Sequence, residues 1–133
     1  MVLAEEAQKG PHCVLIVEDE PLIRLVVADE LREAGVDVVE AATAEEALRY
    51  IEAGAQFHLV FTDVDMPGPM DGLGLARHLS KTHPAVPVII TSGKPYASEI
   101  EAQWLFIPKP YSVAGLIDMF SEKFGIGPRK SNE

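Results

Sequence analysis

The sequence predicts an α/β domain, doubly wound around a parallel sheet. Short, unbroken apolar runs alternate with segments of helical period along almost the whole chain. Such runs suit strands covered by helices on both faces. Polar, chemistry-bearing residues stand where the runs end: Glu18-Asp19, Asp63, Thr91 and Lys109. In open α/β sheets ligands sit outside the carboxyl ends of the strands.

Residues 1–11 read as a polar lead-in closing at Gly10-Pro11, and the domain proper as 12–126. The first strand is 13–17. The first helix begins near Pro21, whose missing N–H costs nothing in a first turn. Ile23, Val27, Leu31 and Ala34 recur on one face, expected to be buried, and Gly35 is placed to end the helix. Val36, Val38 and Val39 mark strand two. Thr43 and Glu46 form a capping box for the second helix, whose buried stripe is Ala44, Ala47, Leu48 and Ile51, ending at Gly54. Strand three is 58–62. The third helix follows Gly72, carries Leu75 and Leu79, and stops before Pro84. Strand four is 86–90. Only 94–103 remain for a fourth helix; Pro95 falls early and Ile100 is the sole large aliphatic residue, so a short helix or irregular loop is expected. Strand five covers 104–107. The last helix starts after Ser112 and buries Val113, Leu116, Ile117, Phe120 and Phe124. The tail, 127–133, is polar and expected to be loose.

At 133 residues, 47% hydrophobic and 24% charged, the chain has the size and composition of one globular domain. Eleven basic against 21 acidic residues give a formal charge of -10, which argues against nonspecific nucleic-acid binding. One cysteine, Cys13, forms no internal disulfide and fits a reducing compartment; its plain reading is a small buried hydrophobe. No apolar stretch approaches the ~20 residues of a membrane span. The first residues lack the features of a secretion signal. A cytoplasmic protein without membrane or nucleic-acid partners is expected.

Clustered carboxylates suit a hard divalent cation, and a lysine beside a hydroxyl suits phosphate oxygens. Singly, each residue has a plain explanation: Asp19 near a helix start, Asp63 capping a turn, Lys109 a surface charge. Four strand ends with compatible chemistry point instead to phospho-aspartate chemistry.

From Val14 to Phe124 the chain resembles the receiver domain of two-component response regulators. The resemblance rests on Val17-Glu18-Asp19-Glu20, Thr62-Asp63-Val64-Asp65-Met66-Pro67-Gly68, Met70-Asp71-Gly72, Thr91-Ser92-Gly93 and Pro108-Lys109-Pro110, in that order. It implies a flavodoxin-like (βα)5 fold with strand order 2-1-3-4-5. It implies that Asp63 accepts a phosphoryl group from a sensor histidine kinase or phosphotransfer protein. Mg²⁺ would be held by Asp19, Asp63 and the Asp65 backbone carbonyl, with Glu18 acting through water. Lys109 would pair with the phosphoryl oxygens, aimed by a cis bond before Pro110. Thr91 and Phe106 would form the switch, although Phe106 also reads as a plain core aromatic.

Three departures from the family pattern stand out. The loop after Asp63 is one residue longer, Asp65 adds a carboxylate expected to affect rates, and the Thr91–Lys109 interval is about four residues shorter. His12, His58, His78 and His83 lack metal-ligand spacing. Trp104 reads mainly as packing, and Tyr96 and Tyr111 are not diagnostic.

The same residues admit two alternatives. Asp63-Val64-Asp65 resembles the nucleophile motif of haloacid-dehalogenase-type phosphatases, but that motif belongs at a domain start and would leave Glu18-Asp19 without a role. A phosphorylation-independent interaction module would ordinarily lack an acid or the lysine, and none is missing. The expectation is a stand-alone receiver, a signalling switch rather than a metabolic enzyme, monomeric or weakly dimeric, acting through a downstream protein or a phosphorelay.

Overall fold

The computed structural model describes residues 12–94 and 100–127. Its elements run β1 (Cys13–Val17), α1 (Pro21–Glu33), β2 (Asp37–Ala41), α2 (Ala44–Glu52), β3 (Leu59–Asp63), α3 (Gly72–Thr82), β4 (Val88–Ser92), β5 (Leu105–Pro108) and α4 (Val113–Phe124). The strands form one sheet, all pairings parallel, in the order β2-β1-β3-β4-β5. This is the predicted doubly wound topology.

Strand alternation divides the core in two. Leu15, Val17, Val60 and Ile90 face α2 and α3, meeting Ala47, Ile51, Leu75 and Leu79. Val14, Ile16, Leu59, Phe61 and Ile89 face the opposite way, meeting Val27, Leu31, Leu116 and Phe120 on α1 and α4. Every residue of β3 and β4 is buried, which explains why their sequences are continuously apolar up to the chemistry-bearing ends.

Helix starts follow the sequence signals. Thr43 Oγ1 accepts the Glu46 N–H at 3.1 Å, and Glu46 Oε1 reaches back to the Ala42 N–H at 2.7 Å. Asp71 and Ser112 cap α3 and α4 by accepting the N–H of Gly74 and Gly115. Lys94 and 100–104 are not helical; the rest of the segment considered for a fourth helix, including Tyr96, lies outside the described residues. So do the lead-in through residue 11 and the tail from 128. Trp104 lies just before β5, 5% exposed, with its indole N–H donated to Ser80 Oγ at 3.1 Å.

The buried face expected for α1 is corrected. Of the α1 face predicted to be buried, Val27 and Leu31 are in the core, but Ile23 is 38% exposed and Ala34 is only half-buried beyond the helix end. The reason is position: the first turns of α1 border an open cavity of about 570 Å³ shared with Lys109, Pro110, Tyr111 and Val113. Leu22, Leu25 and Val26 are exposed as well, so this half of α1 presents an uncovered apolar surface.

Candidate functional site

The parallel register aligns the strand ends. Asp63 pairs with Thr91, and Ser92 with Pro108. The chain beyond each strand remains tied to its neighbour: Glu18 N–H donates to Ala41 O, Val64 N–H to Thr91 O, and Lys109 N–H to Ser92 O. Side chains from three separate loops therefore converge.

Lys109 Nζ lies 2.9 Å from Asp63 Oδ2 and 3.2 Å from Glu18 Oε1. Glu18 and Asp63 are each 4% exposed. The peptide bond between Lys109 and Pro110 is cis. Burial opposes the lysine's charge, yet the hydrogen bond and charge of Asp63, followed by those of Glu18, hold its pKa above the ordinary value. Burial pushes Glu18 upward and the charge of Asp63 adds to this; the Glu20 N–H and Lys109 offset it only in part. Tyr111 stacks edge-on against Phe61 at 5.6 Å. Burial and the charge of Glu18 push its phenol up to about 12.

Carboxylate oxygens of Glu18, Asp19 and Asp63 lie within 4.8 Å of one another. Three hard oxygen donors at that separation fit a small divalent cation such as Mg²⁺. Both oxygens of Glu18 are already engaged, by Lys109 and by the Glu20 N–H. Asp19 is exposed, available to an incoming ion.

Thr91 is 1% exposed, and its Oγ1 has no hydrogen-bond partner among the described residues. A buried hydroxyl without a partner is costly. Thr91 pairs in register with Asp63 at the ends of β4 and β3. Phe106 pairs in register with Ile90 and packs half-buried against the α2–α3 side of the core.

Asp65 turns its side chain toward the end of β4. Its Oδ2 accepts from Ser92 Oγ at 2.9 Å, and Lys94 Nζ lies 3.7 Å from Oδ1. Its backbone N–H donates to Asp63 Oδ1 at 3.3 Å. The lengthened loop after Asp63 is held by Glu45, which accepts the Met70 N–H at 3.0 Å. Gly68 in that loop has φ +105°, and a Cβ there would stand 2.8 Å from Glu45 Oε1. Sequence reasoning missed Lys94 and Glu45, and the contact of Ser92 with Asp65, because nothing in their spacing marks which loop they would touch. His12 and His58 pack edge-to-face at 4.9 Å near the opposite, amino-terminal end of the sheet, with His58 Nδ1 accepting the Cys13 N–H.

The sequence profile of the response regulator receiver domain matches residues 14–120. The chain belongs to that family. It is a receiver domain of two-component systems, a family of signalling switches. It is similar to the sensor kinase CckA of Brucella abortus, with 39% identity over 85% of this chain, and spans 12% of that kinase's length. A receiver domain structure from Methanospirillum hungatei superposes with a TM-score of 0.80 at 28% identity, covering 87% of this chain and 95% of the other. The response regulator TrrA of Thermotoga maritima, solved in complex with Mg²⁺ and BeF, gives 0.73 at 27% identity over 84% and 97% of the two chains. Family membership sets aside the phosphatase alternative: two β-α units precede Asp63 within the matched span, and the Asp65 carboxylate is engaged by Ser92. No helix among the described residues is long and apolar enough to cross a membrane.

Proposed function

We propose that this receiver domain takes a phosphoryl group onto Asp63 from a phosphohistidine of a sensor kinase or phosphotransfer protein. The observation that carries the reading is Lys109 bridging Asp63 and Glu18 at the mouth of a carboxylate cluster, beside the unpartnered hydroxyl of Thr91. A carboxylate oxygen of Asp63 attacks phosphorus; the P–N bond breaks as the P–O bond forms, and the imidazole leaves and recovers a proton from solvent. Bound Mg²⁺, held by Asp19, Asp63 and the Asp65 backbone carbonyl with Glu18 acting through water, would supply charge neutralisation between two anions. Lys109 already touches Asp63 and follows the phosphoryl oxygens as a point charge, its backbone set by Pro110. Thr91 donates its hydroxyl to the phosphoryl group, and the space it leaves is taken up by Phe106. That rearrangement biases a bistable element, as in other phosphoryl-driven switches.

The exposed apolar turns of α1, adjoining Pro110 and Tyr111 beside Lys109, offer a helix of the phosphodonor protein a surface next to the acceptor. The similarity to a sensor kinase supports a partner of that kind.

The test is intact mass after incubation with a small phosphodonor such as phosphoramidate, with and without Mg²⁺. A single phosphoryl adduct that requires Mg²⁺ is the expected result. Normal Mg²⁺ binding without any adduct would instead favour the phosphorylation-independent interaction module.

Thr91→Val provides a second check. The isostere removes the buried hydroxyl that lacks a partner, so the resting protein should gain about 1 kcal/mol in urea denaturation. The same variant should lose most of the Trp104 fluorescence response to beryllofluoride. A loss of stability, or an unchanged response, would remove Thr91 from the switch.

A further inference from the structure

We propose that Arg24, balanced by Glu40, is a positioning residue that sets the cation-binding carboxylates at the end of β1. The inference rests on the function proposed above and adds a residue that does not belong to the carboxylate cluster. Arg24 Nη1 donates to the backbone carbonyl of Glu18 at 2.7 Å, while its Nε donates to Glu40 Oε1 at 3.2 Å. The side chains of Arg24 and Glu40 are only 20% and 25% exposed. Glu40 lies on β2, paired in register with Ile16 on β1, and its second oxygen accepts from Arg32 Nη1 at 3.0 Å. A planar fork held on two sides is a rigid donor.

The Glu18 carbonyl belongs to the peptide unit that also carries the Asp19 N–H, so fixing its plane fixes the direction in which Asp19 leaves the backbone. The other polar handles of Glu18 are taken by Ala41 O, Lys109 and the Glu20 N–H. The Asp19 carboxylate has no hydrogen bond among the described residues. Its place within 4.8 Å of the Glu18 and Asp63 oxygens therefore depends on the backbone, and Arg24 is the side chain holding that backbone.

A bare positive charge beside a cation site would weaken cation binding. Here Arg24 and Arg32 are matched by Glu40 and Asp29, the last 3.8 Å from Arg32, so the four charges sum to zero. The arrangement delivers a strong donor to Glu18 with little net field. Charge and positioning therefore predict opposite signs. Removing Arg24 tightens Mg²⁺ binding if charge dominates and loosens it if positioning does.

The experiment is Mg²⁺ titration of the full chain by calorimetry and Trp104 fluorescence, with thermal unfolding in parallel. Arg24→Ala is expected to weaken Mg²⁺ binding about tenfold, the scale seen when partners that orient metal ligands are removed. Arg24→Lys, which can reach the carbonyl or Glu40 but not both, should fall between. Arg32→Ala loosens the same α1–β2 network without touching Glu18, and its Mg²⁺ affinity should stay within about twofold of the parent. If Arg24→Ala fails to fold, Arg24→Gln carries the same comparison. Unchanged or tighter binding in the Arg24 variant overturns the inference and leaves the proposed function standing. Equal weakening in Arg32→Ala overturns it too, since general loosening would then suffice. A parent chain that binds no Mg²⁺ overturns both.

Discussion

Asp63→Asn is expected to abolish phosphoryl uptake while leaving the fold intact. The amide keeps an oxygen able to accept from Lys109, which lies 2.9 Å away, so the local hydrogen bond survives. What disappears is the nucleophile, along with one of three carboxylates placed to share a cation. Mg²⁺ affinity should fall by at least about tenfold, about 1.4 kcal/mol, because one unit of negative charge leaves a site shielded from water. Mass spectrometry with a small phosphodonor and Mg²⁺ provides the measurement. A persistent adduct at another residue would remove Asp63 from the role of acceptor. Circular dichroism matching the parent would show that the loss is chemical rather than structural.

Gly72→Ala is expected to have the largest effect on stability. A Cβ on Gly72 would stand 1.9 Å from the Asp63 carbonyl oxygen, 2.7 Å from its carbon and 2.9 Å from Val64 Cα. All three are backbone atoms, so no side-chain adjustment relieves the clash. Either α3 or the end of β3 must move, at a cost of about 3 kcal/mol. The displaced strand end is the one bearing Asp63, so Mg²⁺ affinity should fall with stability. Gly74 is the internal control: its nearest neighbour would be Met70 Cγ at 3.0 Å, on a flexible side chain. Gly74→Ala should be close to neutral, its crowding offset by a helix-propensity gain of about 0.8 kcal/mol. Urea denaturation of both variants distinguishes them, and equal stabilities would refute the backbone clash.

The fold was legible because its strands are buried on both faces, leaving apolar runs that stop where the chemistry begins. The order of elements, the caps at Thr43 and Ser112, and the convergence of Asp63 with Lys109 followed from that pattern. Boundaries were less secure. Strand four was expected at 86–90, whereas β4 is Val88–Ser92, since the apolar run begins before pairing and hydrophobicity does not report hydrogen bonds. The exposure of Ile23 was hidden for a related reason: periodicity identifies a face but does not say what covers it. The contacts of Arg24, Glu40, Glu45 and Ser92 left no trace in the one-dimensional pattern. Their partners lie 6 to 27 residues away and are fixed by strand register and loop path. The unpartnered state of the Thr91 hydroxyl is a property of packing, not of sequence.

The uncovered turns of α1 have a colloidal consequence. Leu22, Leu25 and Val26 are each at least 46% exposed, a surface that in a neutral protein would invite self-association. This chain carries a formal charge of -10, and the repulsion between two such copies is expected to oppose contact through those turns. That repulsion acts over roughly 10 Å at 0.1 M salt and shrinks to about 3 Å at 1 M. Acidity thus serves as a solubility device that keeps a sticky face available, and ionic strength decides how well it works.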